Sequence, residues 1–389
     1  MNQFNLRATF NEREARGSEI AHEFGWVQRV DEFSYRVHSQ KLDKEYQVQK
    51  TETGWACSCP DSKYRLVKCK HVWAVEISWT LREQVRKSVV IQTVKIDVCL
   101  FCGSGRLVKD GIRRNKTGDI QKFECRECGR YFTVNIGFEK MKHDPKGITM
   151  AIQLYFSGES LRNTQKALRL LGVQVSHQTI YKWIQKYVGL MDRYLDKLTP
   201  QVSDTWRADE LYFKVRGNMK YLFAMMDDET RFWIAQQVSD TKFKAGVRPL
   251  FAEAKRVAGK RPLTLITDGG HHFNQPFKKE FYSKHAPFSM HVRDIRLSGQ
   301  VHNNKMERMN GEIRDREKVM RGLKRKDTPI LKGYQIYHNF IRPHESLNGE
   351  TPAEKAGIKV EGSDKWLTII QNASLPTKVD REPKEVESA

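Results

Sequence analysis

TWRADELYFKVRGNMKYLFAMMDDETRFWIAQQV, residues 205–238, decides the fold. Trp206 to Phe213 and Tyr221 to Met226 are dense in aromatic and aliphatic side chains, with Arg216-Gly217-Asn218 as a turn between them. Asp227-Asp228-Glu229-Thr230 makes a second turn, and Phe232 to Val238 reads as a third strand. Val247 to Val257 follows with helical spacing, and Leu263-Thr-Leu-Ile-Thr267 reads as a buried strand ending at Asp268-Gly269-Gly270. Three antiparallel strands, a helix and a further strand predict an α/β domain on a mixed sheet.

Working outward, the chain of 389 residues is long enough for two to four domains at roughly 100–200 residues each. Its 39% hydrophobic content supplies real cores and excludes wholesale disorder. Lys and Arg total 68 against 47 Asp and Glu, a net charge of +21. That surplus favours polyanions, nucleic acid first and acidic membrane surfaces second. No window approaches the roughly 18 consecutive apolar residues that a spanning helix needs. Residues 1–19 lack the basic and apolar regions of a signal peptide. The expectation is an intracellular protein in a reducing compartment, where seven cysteines need an explanation other than disulfides.

All seven lie between residues 57 and 128. Cys57-Ser-Cys59, nine residues, then Cys69-Lys-His71 offer three soft sulfurs and one imidazole, a set that suits tetrahedral Zn²⁺. A strand pair around Tyr46 to Cys57 should precede the ligands, and a helix from near His71 should carry Val72, Val75, Ile77, Trp79 and Leu81. The spacing, with its Cys-Pro and Cys-Lys-His pieces, resembles the SWIM zinc finger. Cys99-x2-Cys102-Gly103 and Cys125-x2-Cys128-Gly129 form two knuckles of a zinc ribbon flanking a basic hairpin with Arg113, Arg114 and Lys116. Two structural Zn²⁺ ions then use all seven thiols and His71.

Between ribbon and sheet, residues 147 to about 195 read as helices. Ser160 caps one with Leu161, Thr164, Leu168 and Leu171; Ser176 caps another with Ile180, Trp183, Ile184, Tyr187 and Met191. As a helix-turn-helix, the second helix would offer Gln178, Tyr181 and Lys182 to a DNA groove. As a linker bundle, its Tyr and Trp would simply fill a core.

Three further segments carry a resemblance. Ile266-Thr-Asp268-Gly-Gly270-His-His-Phe273 resembles the second-aspartate region of retroviral-integrase-like DDE transposases. His302-Asn303-Asn304-Lys-Met-Glu307-Arg308 is similar to the third-acid motif, and Tyr337 to Leu347, with Arg342-Pro343-His344, to the segment that closes these domains in prokaryotic insertion sequences. The resemblance covers about residues 145–355. It implies a ribonuclease-H-like catalytic domain, the triad Asp209, Asp268 and Glu307, and two catalytic Mg²⁺ or Mn²⁺ ions. The chemistry asks for the same set: in-line phosphodiester transfer uses two hard cations held by carboxylate oxygen. Thirty-eight residues separate Asp268 from Glu307, a few more than is usual in the family, with a loop through Pro287 to Gly299 absorbing the excess.

Other acids compete. Glu210 should point to the sheet face opposite Asp209. If Gly217 centres the hairpin, position 225 faces 209 and Asp227 is a near neighbour on the same face; alternatively Asp227 and Asp228 occupy a solvated turn. Glu307 and Glu312 both flank the stripe of Met306, Met309, Ile313 and Met320, and only the motif chooses Glu307. Past it, Arg314, Arg316, Lys318, Arg321, Lys324, Arg325 and Lys326 form a basic run directed at a DNA backbone.

The layout expected is a SWIM-type domain (1–90), a zinc ribbon (91–140), a helix-turn-helix-like segment (141–198), the catalytic domain (199–355) and a C-terminal tail (356–389). The function implied is a transposase that binds element ends, cleaves, and joins 3′-hydroxyl ends to target DNA. Double-stranded DNA, a homo-oligomer of at least two chains, no membrane and the prokaryotic cytoplasm go with it. A non-catalytic zinc-dependent DNA-binding regulator is one alternative. A Mutator-like transposase is another, although in that family the SWIM finger follows the catalytic domain.

Overall fold

The computed structural model describes residues 4–376 apart from 24, 31–33, 41–43, 52–53, 86–88, 116–117, 284–287, 294–302 and 321–327. It divides into two compact units: residues 1–88 with 199–315 and 355–357, and residues 89–198 with 316–354 and the chain from 358 onward.

In the first unit the segment 205–239 folds as β1 (Thr205–Val215), β2 (Asn218–Asp227) and β3 (Trp233–Ser239). Then come α1 (Lys244–Ala258), β4 (Thr264–Ile266), α2 (His271–Glu280), β5 (Met290–Val292) and α3 (Asn304–Met320), of which residues 304–315 belong to this unit. The sheet order is β3-β2-β1-β4-β5, with β1 to β3 antiparallel and β4 and β5 parallel to β1. This is a ribonuclease-H-like arrangement. β5 lies inside the stretch expected to be only loop.

Helix α1 forms because Val247, Leu250, Phe251, Ala254 and Ala258 recur at helical spacing and bury one stripe. Phe251 packs on Phe281 (ring centroids 4.9 Å apart), which meets Trp206 of β1 edge-on at 5.6 Å. Burying each such side chain contributes roughly 1.5–3 kcal/mol, so the sheet and its helices are held as one body.

The β1–β2 turn has two residues, Arg216 (φ 50°) and Gly217 (φ 81°), both left-handed, which matches the twist of a tight hairpin. Val215 therefore pairs with Asn218, and Asp209 stands opposite Ala224 rather than position 225. The one-residue slip puts Asp227 opposite Trp206, on the other face from Asp209. The solvated turn is also overturned: Asp227 and Asp228 are 0% and 1% exposed. Asp227 is buried because it accepts hydrogen bonds from Ser203 N and Oγ (2.8 and 2.6 Å) and from Thr230 N and Oγ (2.8 and 2.6 Å), which tie the turn back on itself.

The N-terminal part of the same unit is larger than the expected hairpin and helix. Strands Val27–Arg29, Ser34–His38, Glu45–Thr51 and Gly54–Cys57 form an antiparallel meander. The helix Lys70–Val85 packs on it and on a further helix, Phe4–His22. The last two contact closely at Gly17, where a Cβ would lie 2.5 Å from Trp73 Cβ. Ile20, Val37, Val48, Val72 and Val75 form the core with Cys57, Cys59 and Cys69.

In the second unit, strands Leu107–Asn115, Gly118–Cys125 and Tyr131–Thr133 make the three-stranded ribbon, with Arg113 and Arg114 exposed on its hairpin. Helices Pro145–Phe156, Leu161–Leu170 and His177–Leu195 follow. Ser160 Oγ accepts from Asn163 N at 3.1 Å and Ser176 Oγ from Thr179 N at 3.2 Å, each cap stabilising its helix by about 1 kcal/mol. Residues past 356 do more than trail. Ile358–Val360 pairs in parallel with Val89–Ile91, and helix Lys365–Ala373 packs on the helical segment, Trp366 Nε1 donating to Gln153 Oε1 at 2.7 Å. Residues 377–389 lie outside the described residues.

Candidate active site and metal centres

The acids meet because of strand register. β1 and β4 pair in parallel up to Arg207 and Ile266, and continuing that register by two residues brings Asp209 beside Asp268. Asp268 is exposed at the end of β4, the position where open α/β sheets place their ligands. The chain can turn there because Gly269 has φ 87°, and a Cβ on it would lie 2.7 Å from Arg293 O. Carboxylate oxygens of Asp209, Glu210 and Asp268 lie within 4.8 Å of one another. Glu307, exposed in the first turn of α3, stands outside that group, and its charge reaches Asp209.

Asp209 is held at both oxygens. Its Oδ1 accepts the Glu210 N–H at 2.9 Å and its Oδ2 the Asn310 side-chain amide at 2.9 Å. Asn310 sits three residues after Glu307, so the two project from one helix face. Burial pushes the Asp209 carboxyl up to about 7; the Glu210 N–H opposes this, while the charges of Glu210, Asp268 and Glu307 add to it. A carboxyl under such repulsion is where a divalent cation gains most.

Glu210 corrects the expectation that it faces away. The β1–β4 ladder ends at Arg207, and the longer Glu210 side chain reaches round to Lys242 and His272. It accepts from Lys242 Nζ and lies 3.1 Å from His272 Nε2. Burial works against the Glu210 carboxylate, but His272 and Lys242 outweigh it and hold it below its usual range. His272 is thus a polar neighbour of the site and His271 is exposed; His302 lies outside the described residues.

On α3, Met306, Met309 and Ile313 are buried as expected. Arg314 is exposed. Arg316 leaves the proposed basic face: it is 4% exposed, stacks over Tyr155 at 4.2 Å and donates from Nη1 to Glu159 O at 3.0 Å. The helical stripe that buries Ile313 turns position 316 inward as well. Arg321, Lys324, Arg325 and Lys326 lie outside the described residues. On the helix His177–Leu195, Gln178 and Lys182 are exposed, Tyr181 is half-buried, and Ile180, Trp183 and Ile184 face the core.

Both cysteine clusters assemble. Cys57, Cys59, Cys69 and His71 bring their ligand atoms within 4.8 Å, as do Cys99, Cys102, Cys125 and Cys128. Sγ–Sγ distances of 3.7 Å (Cys99–Cys128) and 3.5 Å (Cys102–Cys125) match the edge of a tetrahedron with metal–sulfur bonds of about 2.3 Å. His71 turns Nδ1 to the sulfurs, 3.8 Å from Cys57 and 3.9 Å from Cys69. Hydrogen bonding from Cys57 to Cys59 pushes the first thiol far up and pulls the second down. The donor sets fit a cation that replaces those shared protons.

The family model for the DDE domain matches residues 203–344, and that for the SWIM zinc finger matches residues 46–79. Residues 203–344 are thus similar to a DDE domain and residues 46–79 to a SWIM zinc finger. Its homologues include the Staphylococcus aureus transposase for insertion sequence-like element IS431mec, 27% identical over 219 residues, 54% of this chain and 92% of the relative. The insertion element ISM1 uncharacterized 48.3 kDa protein of Methanobrevibacter smithii is 23% identical over 192 residues, 45% of this chain and 47% of that one. Among solved structures, the HTLV-2 integrase catalytic core domain in complex with magnesium matches at TM-score 0.31 and 19% identity, covering 41% of this chain and 98% of that chain. No helix among the described residues is long and apolar enough to cross a membrane.

Proposed function

We propose that this protein is a DNA transposase that binds the ends of its insertion element, cleaves phosphodiester bonds there and joins the 3′-hydroxyl ends to target DNA. The observation that carries the reading is the convergence of Asp209 and Asp268 at adjacent parallel strands, with the charge of Glu307 reaching the same point. These three would hold two Mg²⁺ or Mn²⁺ ions, hard cations suited to carboxylate oxygen. When bound, such a pair stabilises the attacking and leaving oxygens of an in-line displacement.

The chain's own groups do the positioning. The Glu210 N–H and the Asn310 amide fix the two oxygens of Asp209. The exposed face of Gln178 and Lys182, with Tyr181 beside it, fits a recognition helix in a major groove. Arg314, followed in sequence by Arg321, Lys324 and Arg325, fits a contact to the DNA backbone. Zn²⁺ in the two sulfur-rich centres is structural. Pairing two element ends requires a homo-oligomer of at least two chains, acting on double-stranded DNA in the prokaryotic cytoplasm.

The test is a joining assay with a linear duplex carrying the repeats that flank the gene, a target plasmid and Mg²⁺. Joined products that vanish with chelator are expected. Binding of the ends with both DNAs left intact at every Mg²⁺ concentration would instead identify a non-catalytic regulator.

A further inference from the structure

Asp228, immediately after β2, is 1% exposed and carries two cations. Arg207 of β1 donates its Nε–H to Asp228 Oδ1. Lys305, in the first turn of α3, donates from Nζ to the same Oδ1 and to the Asp228 main-chain oxygen, both at 2.9 Å. One cation is enough to neutralise a buried carboxylate, so the second needs another reason. A lysine in the first turn also opposes the helix dipole, an arrangement that costs stability unless a partner offsets it.

The reason lies in where Lys305 sits. Met306, Met309 and Ile313 bind α3 to the core through apolar contacts, which hold it without fixing its rotation closely. Directional bonds occur on both sides of the third acid: Lys305 to Asp228 two residues before Glu307, and Asn310 to Asp209 three residues after it. The first ties α3 to the end of β2, the second to the middle of β1.

We propose that Lys305 is a positioning residue, a latch to buried Asp228 that sets the rotation of α3 and so aims Glu307 at the metal site formed with Asp209 and Asp268. The inference rests on the transposase reading above. Lys305 bonds to Asp228 and not to Asp209, Asp268 or Glu307, so it acts through the helix. Loss of the latch should leave the fold and DNA binding in place and let Glu307 swing out of range of the cation.

The test combines Mn²⁺ binding, read by electron paramagnetic resonance on the full zinc-loaded chain, with the Mg²⁺ concentration that half-saturates cleavage. Lys305→Met should weaken Mn²⁺ binding and raise the Mg²⁺ requirement by roughly 10-fold or more, as lost supporting partners of metal ligands do. Affinity for element ends should be unchanged, and Lys305→Arg, which can reach the same acceptors, should recover most of the loss. Glu307→Gln sets the scale. Mn²⁺ binding that is lost in Glu307→Gln but untouched in Lys305→Met overturns the latch and leaves the active-site reading standing. An Arg variant as impaired as the Met variant also overturns it, since packing rather than the bond to Asp228 would then be at work. Binding indifferent to Glu307→Gln overturns the active-site reading and the latch with it.

Discussion

The two sulfur-rich centres and the carboxylate site solve opposite problems with ligands of opposite kinds. Each cysteine centre takes its four donors from 30 residues or fewer, and Cys57, Cys59, Cys69 and His71 are all buried. The carboxylate site draws on positions 209, 268 and 307, and leaves Asp268 and Glu307 exposed. A closed shell of soft donors holds a metal for the sake of the fold. An open rim of hard donors, with the Asp209 carboxyl raised by burial and then by its neighbours' charge, suits a metal kept for the sake of what else can bind it. In one case removing the metal should cost structure, and in the other only chemistry.

The largest effect that sharpens this contrast is on folding. Structural zinc in small finger domains is bound with about 10–16 kcal/mol at pH 7, more than such a core supplies alone. The intact chain should contain two zinc ions and Cys69→Ser one. Amide exchange over residues 45–77 should then rise to unprotected rates, with the sheet of Asp209 and Asp268 unaffected. Protection that survives in Cys69→Ser would remove the claim that metal holds this core.

A smaller effect concerns protons at the carboxylate site. Asp209 has its pKa raised from 3.8 to about 7, so the folded state holds its proton where the unfolded chain has released it. The penalty of ionising it in place is absent below about pH 4 and complete above about pH 7. Without divalent cations other than zinc, Asp209→Asn should therefore raise the melting temperature at pH 8 and leave it nearly unchanged at pH 4. Equal shifts at both pH values would show that burial and neighbouring charge do not hold the proton on Asp209.

The smallest effect lies on the DNA side. Lys182→Ala should weaken binding of element ends a few-fold and reduce the salt slope of log affinity by roughly one unit. A loss of sequence preference with no change in slope would assign Lys182 to a base edge instead of a phosphate.

The same contrast explains what could be read from the sequence. The two cysteine clusters were legible because their spacing is local, and Ser160 and Ser176 were legible as caps for the same reason. Asp209 and Asp268 were reached through the family resemblance; the apolar runs marked the strands but not their order in the sheet. Local reasoning failed where the third dimension decides. A two-residue turn shifted the β1–β2 register and moved Asp227 to the wrong face. Asp227-Asp228-Glu229-Thr230 has the composition of a solvated turn, yet its carboxylates are the anchors of a buried one. Glu210 reaches the site because the neighbouring strand stops short, a fact invisible in Glu210's own surroundings in sequence. Asn310 could have been found: it lies one helical turn past Glu307. The first helix carries no motif and little apolar periodicity, and in the segment 358–373 only the apolar residues Trp366, Leu367, Ile369 and Ile370 hint that it packs.

The measurement that tests the account most directly is strand cleavage and joining by Asp209→Asn, Asp268→Asn, Glu307→Gln and Glu312→Gln, each checked for zinc content and end binding. The first three preserve shape and remove the charge that holds the metal pair. Each should therefore lose both activities completely, since a misplaced ion misplaces the nucleophile too. Glu312→Gln should remain active, with all four variants binding zinc and element ends normally. Joining at normal rates by the three acid variants in Mg²⁺ or Mn²⁺ would contradict the assignment of this site as the catalytic centre.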